Sequence, residues 1–207
     1  MGDLMMRQLT VGYKEIAGAT YAQNTLSSGE ILVNKEAKRF VDETAGKGAL
    51  IDAITAQTDK SCYIIANQEM LDSNNELAGL LKRGLLKSAD TIEDLATALS
   101  LDPVELKATV DSYNAMVKEG VDTEFGREKM PFDLTSGTFY GVEARPSRHY
   151  ANGGIVTNGK AEVVNEDNEP IEGLYAAGEV TFHSAHPASN ALTFGMIAAE
   201  QVIAKLG

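Results

Sequence analysis

The sequence predicts an α+β chain built from two modules, residues 1–134 and 135–207, and three observations lead there. Short apolar runs of strand type recur at Ile31–Val33, Ser61–Ala66 and Thr138–Ala144. Between the second and third lie two segments with helical start signals and helical apolar spacing, Ser88–Leu99 and Pro103–Lys118. The chain then closes on a strand, a Gly-Glu turn and a last helix, at Gly173–Leu192 and beyond, with a composition different from that of residues 29–134.

In chain order, residues 1–28 are mixed, and Gly12 and Gly18 interrupt any long period, so irregular structure with one or two short segments is expected. Ile31–Val33 and Arg39–Val41 read as two short strands joined by the Asn34-Lys35-Glu36-Ala37 turn, with Lys35, Glu36 and Lys38 at a solvated tip. Ala49, Leu50, Ala53, Ile54 and Gln57 follow at helical spacing, entered through Thr44–Gly48. Gln68–Leu81 reads as one helix with Asn67 as its N-cap. In the next helix Asp90 or Thr91 is the cap, and Asp102-Pro103-Val104-Glu105 supplies a cap, a first-turn proline and a first-turn acid for the one after. That helix carries Leu106, Val110, Tyr113 and Val117 on one face and stops near Gly120.

Asp122–Leu134 is polar and irregular, anchored by Phe125, Met130, Pro131 and Phe132. The strand from Thr138 is expected to end at Pro146, since proline donates no ladder hydrogen bond. Ile155–Val164 and Glu172–Ala176 alternate as a β-ribbon turned at Asn165–Pro170, and Asn190–Leu206 is an amphipathic helix.

Composition excludes several function classes. The formal net charge of −12 argues against nucleic-acid binding, which needs clustered Lys and Arg. No apolar run approaches the ~20 residues of a bilayer span, and Met1–Arg7 has no secretory apolar core, so a soluble cytoplasmic protein is expected. The single cysteine, Cys62, rules out an internal disulfide and sits in an apolar run, where it reads as a buried small hydrophobe. His183 and His186 have a ligand-like spacing, but no cysteine or further histidine stands near them to complete a tetrahedral site, so no metal centre is expected.

A more specific signal comes from motifs taken together. His149-Tyr150-Ala151-Asn152-Gly153-Gly154, then a ribbon, then Gly173-Leu174-Tyr175-Ala176-Ala177-Gly178-Glu179 occur in one order. Upstream stand Gly29-Glu30-Ile31-Leu32-Val33-Asn34 with Arg39-Phe40-Val41-Asp42-Glu43, then Asp111-Ser112-Tyr113-Asn114 and Asp122-Thr123-Glu124-Phe125-Gly126-Arg127. This combination resembles the cap domain and C-terminal part of the fumarate reductase/succinate dehydrogenase flavoprotein family, FAD-dependent oxidoreductases, from about residue 29 onward. The resemblance implies a cap or substrate domain over 1–134 and a C-terminal remnant of the FAD-binding α/β domain over 135–207. These 207 residues contain no Gly-x-Gly-x-x-Gly turn to hold the FAD pyrophosphate. The expectation is therefore the latter part of a longer flavoprotein, with FAD held by the parent and not by this chain alone, and with the N-terminal FAD-binding part as its missing partner.

The resemblance also assigns roles residue by residue. Gly178 and Glu179 would contact FAD hydroxyls, and the backbone near Asn190, Ala191 and Leu192 would face the flavin at a helix N-terminus. His149 aligns with a histidine that holds a substrate carboxylate, against the alternative of a hydrogen-bonded structural histidine. The family's proton-donor arginine falls on Lys47 when counted from Glu43. Lysine can donate a proton but lacks the planar fork, and between two glycines it also reads as an ordinary surface charge. A family Thr-Glu pair falls on Ala22 and Gln23, and the clamping arginine of the last loop has no counterpart after Arg148, leaving Arg145 or Arg148 as substitutes. Two functions follow as expectations: reduction of an activated C=C bond in a small carboxylate or enone, or a non-catalytic cap module that binds no FAD.

Overall fold

A computed structural model describes residues 6–13, 16–20, 25–152, 154–181 and 187–206, with backbone alone at 6–13, 16–20, 25, 27, 47, 147–152 and 187. The chain divides into two compact units, Leu9–Ser147 and a second formed by Met1–Gln8 with Arg148–Gly207. Among the described residues no helix is long and apolar enough to cross a membrane.

The larger unit is organised on one sheet. The N-terminal stretch, expected to be irregular with one or two short segments, forms two strands, β1 (Met6–Tyr13) and β2 (Ile16–Thr20), paired antiparallel with an irregularity at Gly12/Tyr13. The glycines that disguise these strands in sequence are accommodated in the ladder. β3 (Ile31–Val33) pairs antiparallel with β4 (Cys62–Asn67), and β4 pairs antiparallel with β6 (Phe139–Asn152), giving the order β2-β1-β6-β4-β3. A strand absent from the sequence reading, β5 (Lys87–Ala89), pairs with residues Phe139–Gly141 of β6. Every residue of β3 and β4 is buried, as their unbroken apolar character requires.

Five helices accompany this sheet: α1 (Lys47–Thr55), α2 (Gln68–Ser73), α3 (Asn75–Lys82), α4 (Ile92–Leu99) and α5 (Pro103–Glu119). Gly141 permits a close approach: a Cβ there would lie 2.6 Å from Leu99 Cδ1, so the bare backbone lets α4 seat on β6. The caps act as read. Asn67, Thr91 and Asp102 accept from Met70 N, Asp94 N, and Val104 N with Glu105 N respectively, and Gly120 ends α5 in the left-handed conformation.

Three expectations need correction. Gln68–Leu81 is two helices because Asn74 accepts from Glu76 N and Leu77 N, capping a second start in the middle. Arg39–Val41 makes only one bridge, Val33 to Arg39, because the chain turns inward there and buries the Arg39 side chain. β6 continues past Pro146, since its ladder with β4 ends at Ala144 and the missing N–H falls beyond it.

The smaller unit holds the end of β6, the antiparallel ribbon of β7 (Glu162–Val164) and β8 (Pro170–Tyr175), a 3₁₀ turn at Gly178–Val180 and helix α6 (Pro187–Leu206). The helix starts three residues before its expected beginning, with Pro187 at its first position.

Candidate functional site

In the smaller unit two glycine-bearing segments cross. Ile155 N donates to Val180 O at 2.8 Å, and Ile155 bridges Thr181 in parallel. A Cβ on Gly154 would stand 2.2 Å from Val180 O, so the second glycine of the His149-x-x-x-Gly-Gly segment is required by this crossing. Gly178 has φ +81°, and a Cβ placed on it would meet the Ala191 methyl at 3.5 Å, which sets the turn against the second turn of α6. Thr181 closes the turn, its N and Oγ1 both donating to Gly178 O at 3.0 and 2.7 Å.

This arrangement presents Glu179 to solvent. α6 begins at Pro187, so Ala188, Ser189 and Asn190 lie in its first turn, at the positive end of the helix dipole. Ala191 and Leu192 lie in the second turn, where their N–H groups serve the helix, and Leu192 is 71% exposed. An exposed carboxylate able to accept hydrogen bonds thus stands on the turn that packs against α6 at Ala191. His149 has its backbone in β6 in this unit, and its side chain is outside the described residues, as are His183 and His186. Among the described residues no group of three or more His, Cys, Asp or Glu is placed to hold a metal ion.

The larger unit contains a buried ionic cluster that sequence reasoning quoted as motif but gave no role. Glu43 accepts from Leu32 N and Arg39 Nε on one oxygen, and from Arg39 Nη2 and Arg127 Nη1 on the other, at 2.8–3.2 Å. Arg39 Nη2 also donates to Asp122 at 2.8 Å, and its guanidinium lies 5.3 Å from the Tyr113 ring centroid and 5.1 Å from that of Phe125. Burial opposes the Arg39 charge, yet the bonds to Glu43 and Asp122 outweigh it and raise its pKa. Burial likewise opposes ionisation of Asp122, but Arg39 and the N–H groups of Phe125 and Glu124 lower its pKa to about 2. Arg127 donates from Nη1 to Glu30 O, from Nη2 to Leu26 O and from Nε to Lys129 O. The signal available in sequence was the placing of these charges beside aromatic residues in Arg39-Phe40 and Phe125-Gly126-Arg127.

Four residues beyond Glu43 stands Lys47, the first residue of α1, reached through a turn in which Asp42 accepts from Thr44 N and Oγ1. The Lys47 side chain is outside the described atoms, as is all of Ala22 and Gln23. Lys47 and His149 belong to different units. Arg145, a candidate substitute clamp, donates to Glu143 at 2.9 Å.

Comparison with known proteins follows these motifs. The family model described as FAD binding domain matches residues 6–191. Fumarate reductase (cytochrome) of Shewanella frigidimarina is 36% identical over 191 residues, covering 89% of this chain and 34% of that protein. Urocanate reductase of Eggerthella lenta is 36% identical over 165 residues, covering 76% of this chain and 27% of the relative. The solved open conformation of a flavocytochrome c3 fumarate reductase superposes with a TM-score of 0.90 at 30% identity, over 95% of this chain and 36% of that one. The chain thus spans about a third or less of the length of the relatives it matches.

Proposed function

The chain belongs to the fumarate reductase flavoprotein family, and from that premise we propose that it supplies the cap and the C-terminal cofactor-contacting segment of an FAD-dependent oxidoreductase acting on an activated C=C bond. The observation that carries this reading is the crossing of Gly154 over Val180 with the Gly178 turn seated on α6 at Ala191. It leaves Glu179 open to accept from hydroxyls of a sugar or ribityl chain, beside a helix whose N-terminal dipole end favours an electron-rich ring edge. FAD, when bound, supplies the hydride.

The substrate class is a small unsaturated carboxylate, the feature common to fumarate and urocanate, the named substrates of two relatives. His149 orients the carboxylate by donating from its ring, and Lys47, at the start of α1, delivers the proton that follows hydride addition to the double bond. The phosphate-holding turn is not among these residues, so cofactor and cap chemistry are joined only when an FAD-binding α/β part is present.

The experiment joins this chain to a complete FAD-binding N-terminal part and follows oxidation of a reduced dye with fumarate, urocanate or an enone as acceptor. Acceptor-dependent oxidation at about 1 to 1000 per second supports the reading. Oxidation independent of every unsaturated acceptor overturns it in favour of a non-catalytic cap module.

A further inference from the structure

We propose that Arg127 is the positioning residue of the reductase site, a single guanidinium that holds in register the segment entering α1 and the turn preceding β3. The proposal rests on the functional reading above, which places the proton donor at Lys47. Its evidence is a set of bonds with no local substitute. The start of α1 is weakly fixed by its own residues: Gly46 provides no side-chain cap, the first turn has no acid, and Gly46 and Gly48 touch nothing that a Cβ would meet within 4 Å. Its orientation is set one step earlier, at Glu43, whose carboxylate is fully buried and accepts four hydrogen bonds.

Arg127 is the member of this cluster that reaches the second segment. Its Nη1 joins Glu43 Oε2 at 3.2 Å to Glu30 O at 2.7 Å, and its Nη2 takes Leu26 O, inside the Thr25–Ser28 turn, at 3.0 Å. Its Nε is spent on Lys129 O at 2.9 Å, so the plane of the fork is fixed at both ends. One planar group therefore bonds the carboxylate four residues before Lys47 and the carbonyl three residues after Gln23. A lysine there keeps the charge beside Glu43 but supplies a single point donor, and cannot hold both segments at fixed angles. Arg39 does not share this role, because its bonds go to Glu43, Asp122 and the rings of Tyr113 and Phe125.

Arg127→Lys tests this by two readouts. In the 207-residue chain, hydrogen exchange is measured peptide by peptide. The expected result is exchange faster by about tenfold or more in peptides covering 25–32 and 44–49 together, with α4 and α5 unchanged. Uniformly faster exchange across the unit overturns the proposal and assigns the cluster to core stability alone. In the joined protein, kcat for the accepted acid is expected to fall about tenfold or more with KM kept within about threefold, because alignment at the proton donor is lost and binding is not. Unchanged kcat alongside the paired exchange overturns it as well. Failure of the unsubstituted joined protein to turn over any unsaturated acceptor sinks the reductase reading itself, a result separate from either change in the variant.

Discussion

At the scale of single residues, the larger unit buries Glu30, Arg39, Glu43, Asp122 and Arg127, and the energetic consequence is asymmetric. Replacing both partners of a buried pair with apolar groups is often tolerated, whereas removing one leaves an uncompensated charge. Glu43 serves two guanidinium groups at once. Glu43→Leu is therefore expected to cost about 3–5 kcal/mol or to prevent folding of the unit, and Arg39→Met/Glu43→Leu/Arg127→Met together should cost less than Glu43→Leu alone in urea titrations. Glu30 behaves differently. It is fully buried, accepts from Ser28 N at 3.0 Å and Asn74 Nδ2 at 2.7 Å, and burial raises its pKa despite those bonds and the nearby Arg127. A carboxyl with a raised native pKa favours folding below the unfolded-state value and loses that contribution as pH climbs through the native one. Asp122, lowered to about 2, has the opposite sign: its contribution is present above its ordinary value of 3.8 and disappears as pH falls toward 2. The stability difference between the unsubstituted chain and Glu30→Gln, measured by urea unfolding, should thus shrink as pH rises from 4.5 to 8. A difference that grows over that range contradicts the assignment.

At the scale of elements, α5 is the clearest case of sequence dictating structure. Asp102 caps it, Pro103 starts it and Gly120 ends it; Leu106, Val110 and Tyr113 are buried as expected, with Met116 as the fourth buried residue and Val117 only half-buried. Leu106→Ala should cost about 2–5 kcal/mol, while Val104→Ala, at a residue 76% exposed, should stay within about 0.5 kcal/mol. A thermal-unfolding shift of equal size for both would place the wrong face inward. Elements with such local start and stop chemistry, α4 and α5, were legible, as were α1 by its apolar spacing and β3 and β4 by their unbroken apolar runs. Those settled by distant partners were not. β5 pairs with Phe139–Gly141 some fifty residues later, and β6 passes Pro146 because its neighbour β4 has already ended. The β1/β2 hairpin was hidden by glycines that a strand tolerates once pairing holds it. The candidate site divides the same way. Gly178 and Glu179 were legible as a turn before a helix, whereas the role of Arg127 depends on carbonyls of Leu26 and Glu30, about a hundred residues earlier, which no local pattern announces.

At the scale of the whole molecule, the larger unit has its own hydrophobic core, and the 207 residues contain no Gly-x-Gly-x-x-Gly turn to hold a pyrophosphate. The purified 207-residue chain should therefore carry no stoichiometric FAD, and about one flavin per chain after gel filtration would contradict this. Substrate selection follows from charge. The resemblance places a Thr-Glu pair and two arginines where this sequence has Ala22 with Gln23, Lys47, and no arginine after Arg148, while Arg145 is engaged with Glu143. Each lost charge-assisted contact is worth about 1.5–3 kcal/mol, and effects within one site are not additive. On the proposed reading, a doubly charged acid should suffer most, because its second carboxylate would lack a bidentate partner, whereas a singly charged unsaturated acid or an enone would ask only for one anchor and one proton. In the joined protein the ratio of kcat/KM for a monocarboxylate over fumarate should thus exceed one, and equal or faster fumarate reduction would mean that other groups replace the missing arginine. Lys47→Ala should remove turnover with every acceptor if that side chain delivers the proton. Lys47→Arg should preserve it, since a guanidinium at this position can both orient and donate. Turnover surviving in Lys47→Ala would move the proton donor elsewhere, while the paired hydrogen-exchange response to Arg127→Lys would still report how the segment bearing residue 47 is held.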